Sequence, residues 1–396
     1  MTTLHTVAPR EQVGRDTLER FNAQVRAASM ACLSILEGKE VKKIYCEFHD
    51  DFVIEKIIQG KSKYFFVQVK TKGKLRDIWG INDVFGILKK TTAKKIQSDQ
   101  SIRDSFAGKL LQHTMNFPDT CESIIFMTNT HVDEDIETLL VDISNDVKGK
   151  HSAVLVDRFN HCFIENYKDE SSENHLDDKG ITDRLKKINI ETDVEYLKDK
   201  SDTFSSIARN TIYRYSEIDL EYSEANEIII SLLSLVNKKS SVKITHLTPE
   251  NILNCSAIDI DDLLEILSIS KNAYYDFLNN GDENAIKTAS VIERTLRRAG
   301  SSNQEIQFCA ECKIKWDFWV RHNRHILSKM DFNSIDGHLE DVVNKLAMGG
   351  GIIRLSLLRK YVLELIELLK SEELLFDLDS DIIIGAIFSK IVGHEK

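Results

Sequence analysis

The sequence predicts an α/β domain followed by an all-helical one, and three patterns carry that expectation. A long amphipathic helix opens the chain, short apolar runs of strand character follow it between residues 47 and 129, and helical spacing dominates beyond residue 215.

The first helix is expected from Asp16, read as its N-cap, to Glu37. Leu18, Phe21, Val25, Ala28, Cys32 and Ile35 recur at spacings of three and four, and Gly38 stops the run. Gln24 interrupts the apolar stripe, where a polar side chain is out of place. Glu47 to Ile54 reads as a strand, Gln59-Gly60-Lys61-Ser62 as a polar turn, and Tyr64 to Lys70 as a second, buried strand. Ser123 to Asn129 extends the sheet, and Asp133 to Asp142 forms a helix with acidic residues in its first turn. Asp169 to Asn174 reads as an exposed loop. Helices are expected over Glu224 to Asn237, Pro249 to Asn254, Ile260 to Ile269, Asn284 to Ala299, Asn303 to His322, Leu339 to Leu346 and Leu355 to Leu369. This divides the chain into an α/β domain over residues 1–215, with its core at about 15–130, and a helical domain over 216–396.

Lys70 is the most informative residue. It follows the run Tyr64-Phe65-Phe66-Val67-Gln68-Val69, and on a strand Gln68 and Lys70 share a face. A lysine at the end of a buried strand needs an anionic partner or a ligand, because desolvating an ammonium is costly. Pairing the two strands brings Asp51 near both residues. Of the two adjacent acids, Asp50 and Asp51, only one can face them, and Asp51 leads directly into the strand. A carboxylate and an amide oxygen suit a hard cation, and a lysine beside them can orient an attacking water.

Asp51 and Gln68-Val69-Lys70 resemble the motif of the PD-(D/E)XK nuclease superfamily, in the Mrr-like branch where Gln precedes the lysine. With Arg20-Phe21-Asn22-Ala23-Gln24, Glu47, Asp50 and Thr71-Lys72 added, the first 130 or so residues are similar to the double-stranded-DNA nuclease domain of bacterial anti-phage effectors. Ala23 stands where many members carry Tyr. The resemblance implies a restriction-endonuclease-like fold and a metal-dependent DNA endonuclease. Asp51, Gln68 and the Val69 carbonyl would hold Mg²⁺ or Mn²⁺, Lys70 would position the water, and Gln24, Glu47 and Asp50 would support the site. Such domains occur fused to SAVED sensors in CBASS effectors and beside HerA-type ATPases. An all-helical, acidic second half is not the mixed layout of a SAVED sensor, so a HerA-type ATPase is the expected partner. A CBASS-type effector under nucleotide control and a stand-alone restriction or repair nuclease are the alternatives.

A net charge of −11 over 396 residues argues against a nucleic-acid partner until its distribution is read. Lys39 to Lys109 holds 16 Lys and Arg against nine Asp and Glu, a local excess of seven positive charges, so the remainder carries −18. Lys72, Lys74 and Arg76 follow the second strand, and Lys89, Lys90, Lys94 and Lys95 are expected on the next helix, where they could meet phosphates without reading bases. Little sequence preference is expected. The seven scattered cysteines, the lack of a leader-like segment at Met1 to Arg10 and the lack of a membrane-length apolar run fit a cytoplasmic protein with no membrane partner.

Other features of the second half read blandly. Cys309 and Cys312, with His322 and His325 set too close for a finger, are not expected to bind zinc. Gly349-Gly350-Gly351 lacks the Lys-Ser or Lys-Thr of a phosphate loop and reads as a break between helices. Trp316, Phe318 and Trp319 read as an aromatic helix core. The apolar residues Ile352, Ile353, Leu355, Leu357, Leu358, Val362, Leu363 and Leu365 exceed what one helix face buries internally, which points to a homo-oligomer, assembled on a ring-shaped ATPase.

Overall fold

The computed structural model describes residues 12–38, 40–74, 76–89, 96–164, 175–198, 202–215, 222–282, 284–323, 326–348 and 353–394. They form two compact units. One comprises the described residues up to Ala208 together with Ile229–Ile260; the other comprises Arg209–Ile228 and the described residues from Asp261 onward. A single cut near residue 215 therefore does not separate them, because the chain returns to the first unit after leaving it.

The first unit begins with α1 (Gln12–Leu33), which a 3-10 turn over Ser34–Glu37 prolongs to Gly38 in the left-handed region at φ 66°. Asp16 lies inside this helix and is not its N-cap. Then come β1 (Val41–Phe48), β2 (Asp50–Ile58) and β3 (Lys61–Lys70), followed by α2 (Ile81–Phe85), α3 (Asp99–Arg103) and α4 (Phe106–Asn116). β4 (Cys121–Thr128), α5 (Glu134–Ser144), α6 (Ser152–Phe163), α7 (Asp178–Leu185) and β5 (Ile188–Glu191) complete the contiguous part. Beyond them lie α8 (Asp202–Tyr215), α9 (Tyr222–Ser241), α10 (Pro249–Ser256) and the two-residue β6 (Ala257–Ile258).

These strands make one mixed sheet in the order β5-β4-β3-β2-β1-β6. β1, β2 and β3 run antiparallel, with Phe52 opposite Val67 and Val53 opposite Phe66, while β4 lies parallel to β3 and β5 parallel to β4. The strand carrying Gln68 and Lys70 is thus central, and Phe66 to Val69 are all buried, as a strand covered on both faces requires. Val53, Phe66, Ile124 and Phe126 pack with Leu110 and Leu111 of α4 in the main core. Ile44, Cys46, Phe52, Val67 and Val69, buried at the alternate positions, face the side on which α1 packs against β1, β2 and β3. β5 and β6 carry too few residues to show a period of two, and sequence reading passed over both.

The second unit is all-helical in its described residues: α11 (Ile260–Ile266), α12 (Lys271–Asn279), α13 (Ala285–Arg298), α14 (Asn303–Asn323), α15 (Lys329–Met348), α16 (Leu355–Ser371) and α17 (Ser380–His394). α14 packs against α17, where Gly385 meets the Cys312 backbone closely enough that a Cβ would collide with it. Trp316 and Trp319 stack at 5.2 Å, and the Trp319 indole donates to Asp377 at 2.6 Å, so these aromatics form core. Phe318 is exposed. Cys309 and Cys312 are buried free thiols. On α16 Leu358, Val362, Leu365 and Leu369 are buried while Leu363 is exposed, an ordinary amphipathic division. The glycine run at 349–351, Ile352, His325 and the loop expected at 169–174 lie outside the described residues. Among the described residues no helix is long and apolar enough to cross a membrane.

Candidate active site

β1 and β2 join through a turn of unusual backbone. Phe48 pairs with Asp50, and the flanking Glu47 and His49 take φ of 48° and 69°, left-handed values that cost a residue bearing a Cβ. This turn delivers two consecutive carboxylates in different directions. Asp51 reaches toward β3: its Oδ2 accepts the Val69 N–H at 2.6 Å and lies 3.3 Å from Lys70 Nζ. Gln24 of α1 stands close enough to the Asp51 carboxylate to favour its charged form. The polar break in the first helix, the acid of β2 and the lysine of β3 therefore meet at one point.

Asp50 turns away from that point. Its Oδ1 accepts the Asp51 N–H at 3.0 Å, and its Oδ2 lies 3.0 Å from Nε2 of His113 on α4. His113 is buried and stacks on Phe66 with ring centroids 4.3 Å apart. Sequence reading missed this histidine. The available signal was its place on α4, three residues after the buried Leu110, where a titratable side chain is unusual.

The electrostatics follow from burial. Desolvation raises the Asp51 carboxyl above its ordinary range, and Lys70, the Val69 N–H and Gln24 pull it back only in part. Crowding by protein, with repulsion from Asp51, pushes Glu47 up to about 7, against the pull of Lys70. Glu47 keeps one side open to solvent, which screens part of that effect. The Lys70 ammonium also sits 5.7 Å from the Phe106 ring centre, so an aromatic wall flanks it.

The donors at this point fit a hard divalent cation. The side-chain oxygen of Gln68 is buried with no hydrogen-bond partner, a costly state for an amide unless something electropositive meets it. The Asp51 carboxylate lies on the neighbouring strand, and carboxylate, amide and main-chain carbonyl oxygens are the ligands that Mg²⁺ and Mn²⁺ prefer. No cluster of three or more His, Cys, Asp or Glu side chains suited to a metal occurs among the described residues, so such a site must draw on amide or carbonyl oxygen.

The basic residues separate into two kinds. Lys74 and Arg76 are exposed on the segment after β3. Lys72 is engaged: its ammonium donates to the Ile78 carbonyl at 2.8 Å, pairs with Asp83 at 3.6 Å and lies over the Trp79 ring at 4.3 Å. Lys89 lies past the end of α2 and not on a helix, and it pairs with Asp133 at 2.7 Å and Asp135 at 2.9 Å. Lys90, Lys94 and Lys95 lie outside the described residues.

A mixed sheet with antiparallel β1 to β3, parallel β4 and a covering helix on each face defines a nuclease domain of the restriction-endonuclease-like α/β class. The family model described as "Cap4, dsDNA endonuclease domain" matches residues 12–240, more than half of the chain, and the chain belongs to that family. The resemblance to the double-stranded-DNA nucleases of anti-phage effectors is thereby borne out, and the chain carries a DNA endonuclease domain. Similar solved structures include the Acinetobacter baumannii Cap4 SAVED/CARF-domain containing receptor with the cyclic trinucleotide 2'3'3'-cAAA, at 13% identity and TM-score 0.35, covering 66% of this chain and 46% of that one. The same receptor without a named ligand matches at 12% identity and TM-score 0.34, covering 76% and 60%. The chain thus spans about half the length of these receptors. Among curated proteins, none matches the chain.

Proposed function

We propose that this chain hydrolyses phosphodiester bonds of double-stranded DNA, with Mg²⁺ or Mn²⁺ bound by Asp51, the Gln68 amide oxygen and the Val69 carbonyl. The observation that carries this reading is the meeting of Asp51, Lys70 and Gln24 beside an unpartnered, buried Gln68 oxygen. When bound, the ion supplies neutralisation of the charge that builds on the phosphate in the transition state. Lys70, held by Asp51, orients the attacking water and places its own positive charge where the phosphate must sit. Gln24 fixes the Asp51 carboxylate from the helix side. Lys74 and Arg76 contact the backbone of the duplex, which gives affinity without base readout.

The helical unit serves control. Being all-helical in its described residues, it favours a protein partner, and a HerA-type ATPase with a homo-oligomeric nuclease is the arrangement we propose. A second reading, control by a nucleotide signal, is favoured by the family itself, whose nuclease domains also occur fused to nucleotide sensors. The test of the chemistry is cleavage of supercoiled plasmid with Mg²⁺ or Mn²⁺, alone and with a candidate ATPase. Asp51→Ala and Lys70→Ala are each expected to lose at least about 100-fold in rate, in line with loss of a positioned catalytic group. Parental rates in both variants would show the site to be elsewhere.

A further inference from the structure

We infer that His113 is a positioning residue for the nuclease site, acting through Asp50 on the main chain of Asp51; the inference rests on the metal site proposed above. Asp50 and His113 are both nearly closed to solvent, with side-chain exposures of 5% and 10%, so their contact is not a screened surface pair. The ring is fixed from two directions. Phe66 of β3 stacks on it at an interplanar angle of 12°, and Phe117 lies beyond at 6.4 Å. Imidazole Nδ1 is buried with no hydrogen-bond partner. A buried unpaired N–H is rarer and costlier than a bare acceptor, which assigns the proton to Nε2, the nitrogen that faces Asp50. His113 therefore donates to Asp50 Oδ2.

The second oxygen of Asp50 is then the one that acts on the site, because it accepts the Asp51 N–H at 3.0 Å. That bond lies at the strained turn, where left-handed backbone at Glu47 and His49 would otherwise leave the start of β2 poorly determined. α4 thus reaches through a buried carboxylate to set the backbone from which the Asp51 side chain extends. The relation is that of a histidine and carboxylate standing behind a metal ligand, except that here the carboxylate grips the ligand's main chain. A pair that merely tied α4 to the sheet would not need its second oxygen on the Asp51 N–H.

Mn²⁺ binding to the full-length protein, measured by titration calorimetry without DNA, tests this. His113→Phe keeps a ring on Phe66 but removes the donor, and about 10-fold weaker Mn²⁺ binding is expected. His113→Gln, whose amide N–H can occupy the place of Nε2, is expected to bind within about threefold of the parent. Should His113→Phe fail to fold, Asp50→Ala gives the same answer, since it removes the acceptor for Asp51 N–H; a loss of about 10-fold is expected again. Folded His113→Phe or Asp50→Ala protein with parental Mn²⁺ affinity overturns the inference. Asp51→Ala separates the two levels: if it too binds Mn²⁺ as the parent does, the metal site itself is wrong and the inference falls with it. If Asp51→Ala alone loses binding, only the role of His113 is wrong.

Discussion

The Asn129 side chain closes two hydrogen bonds on the main chain of Lys72: Oδ1 accepts the Lys72 N–H and Nδ2 donates to the Lys72 carbonyl, both at 2.9 Å. The ladder between β3 and β4 ends where Lys70 pairs with Thr128, so Asn129 continues it by one step with an amide in place of backbone. That extra step fixes the chain just after Lys70. Asn129→Asp keeps the acceptor but sets a carboxylate oxygen against the Lys72 carbonyl. We expect it to lower the turnover number about 10-fold and to cost about 1–3 kcal/mol of stability, as for a buried hydrogen bond left unmade. Plasmid cleavage and thermal melting check this; an unchanged turnover number would show that Lys70 is placed without Asn129.

Salt dependence distinguishes the exposed cations from the engaged ones. Each phosphate contact adds about one to the slope of log affinity against log salt. Lys74→Ala and Arg76→Ala are each expected to reduce that slope by about one. Lys72→Ala and Lys89→Ala, whose ammonium groups are already bound to protein carboxylates, are expected to leave it unchanged. Fluorescence anisotropy on a DNA duplex over a salt series measures all four. The reverse ranking would place the DNA on the other side of the segment.

Glu47 gives a pH dependence whose sign is fixed. Its carboxyl is raised to about 7 from 4.5, so the folded protein holds this proton more tightly than the unfolded chain does. Stability from this group is greatest below the lower value and declines as pH rises through that window. Metal-free protein should therefore lose melting temperature between about pH 4.5 and 7 more steeply than Glu47→Gln does. Parallel curves for the two proteins would mean that solvent cancels the shift.

Thiol reactivity reads out the burial of the cysteines. Cys32, Cys46, Cys121, Cys162, Cys309 and Cys312 are buried, and desolvation pushes the Cys309 and Cys312 thiols up to about 12. Only Cys255 is half-exposed. A colorimetric disulfide reagent should modify one thiol per native chain rapidly and all seven after denaturation. Fast reaction of Cys309 or Cys312 would show that the α14–α17 contact opens readily.

Legibility in the sequence tracked the length and regularity of each pattern. The strand ending at Lys70 is plain because five apolar or aromatic residues among the six from Tyr64 to Val69 precede the charge, and the Gln24 break is plain because a stripe of six apolar residues surrounds it. The start of α1 was set too late, because Asp16 looks like a cap although the helix already runs through it. His113 and Asn129 were missed because their meaning lies in partners 63 and 57 residues away along the chain. The helix α17 is absent from the expected helices, the last of which ends at Leu369. Its Ile383, Ile384, Ala386, Ile387 and Phe388 are buried nearly all round, which erases the one-sided spacing by which a surface helix is recognised.

The placement of β6 sets a timetable for synthesis. β1 is flanked on its outer side by Ala257 and Ile258, opposite Tyr45 and Ile44, yet more than 200 residues of chain separate the pair. At translation speeds of about 5–20 residues per second, the ribosome exposes β1 for roughly 10–40 s before it has made the strand that covers it. During that interval the outer row of N–H and C=O groups on β1 is open to any neighbouring chain, and crowded polysomes bring such neighbours close. A newborn chain arrested before residue 257 would carry Asp51, Gln68 and Lys70 on a sheet with an unguarded border, so ribosome stalling in α9 or α10 would be a route to aggregation rather than to a free nuclease.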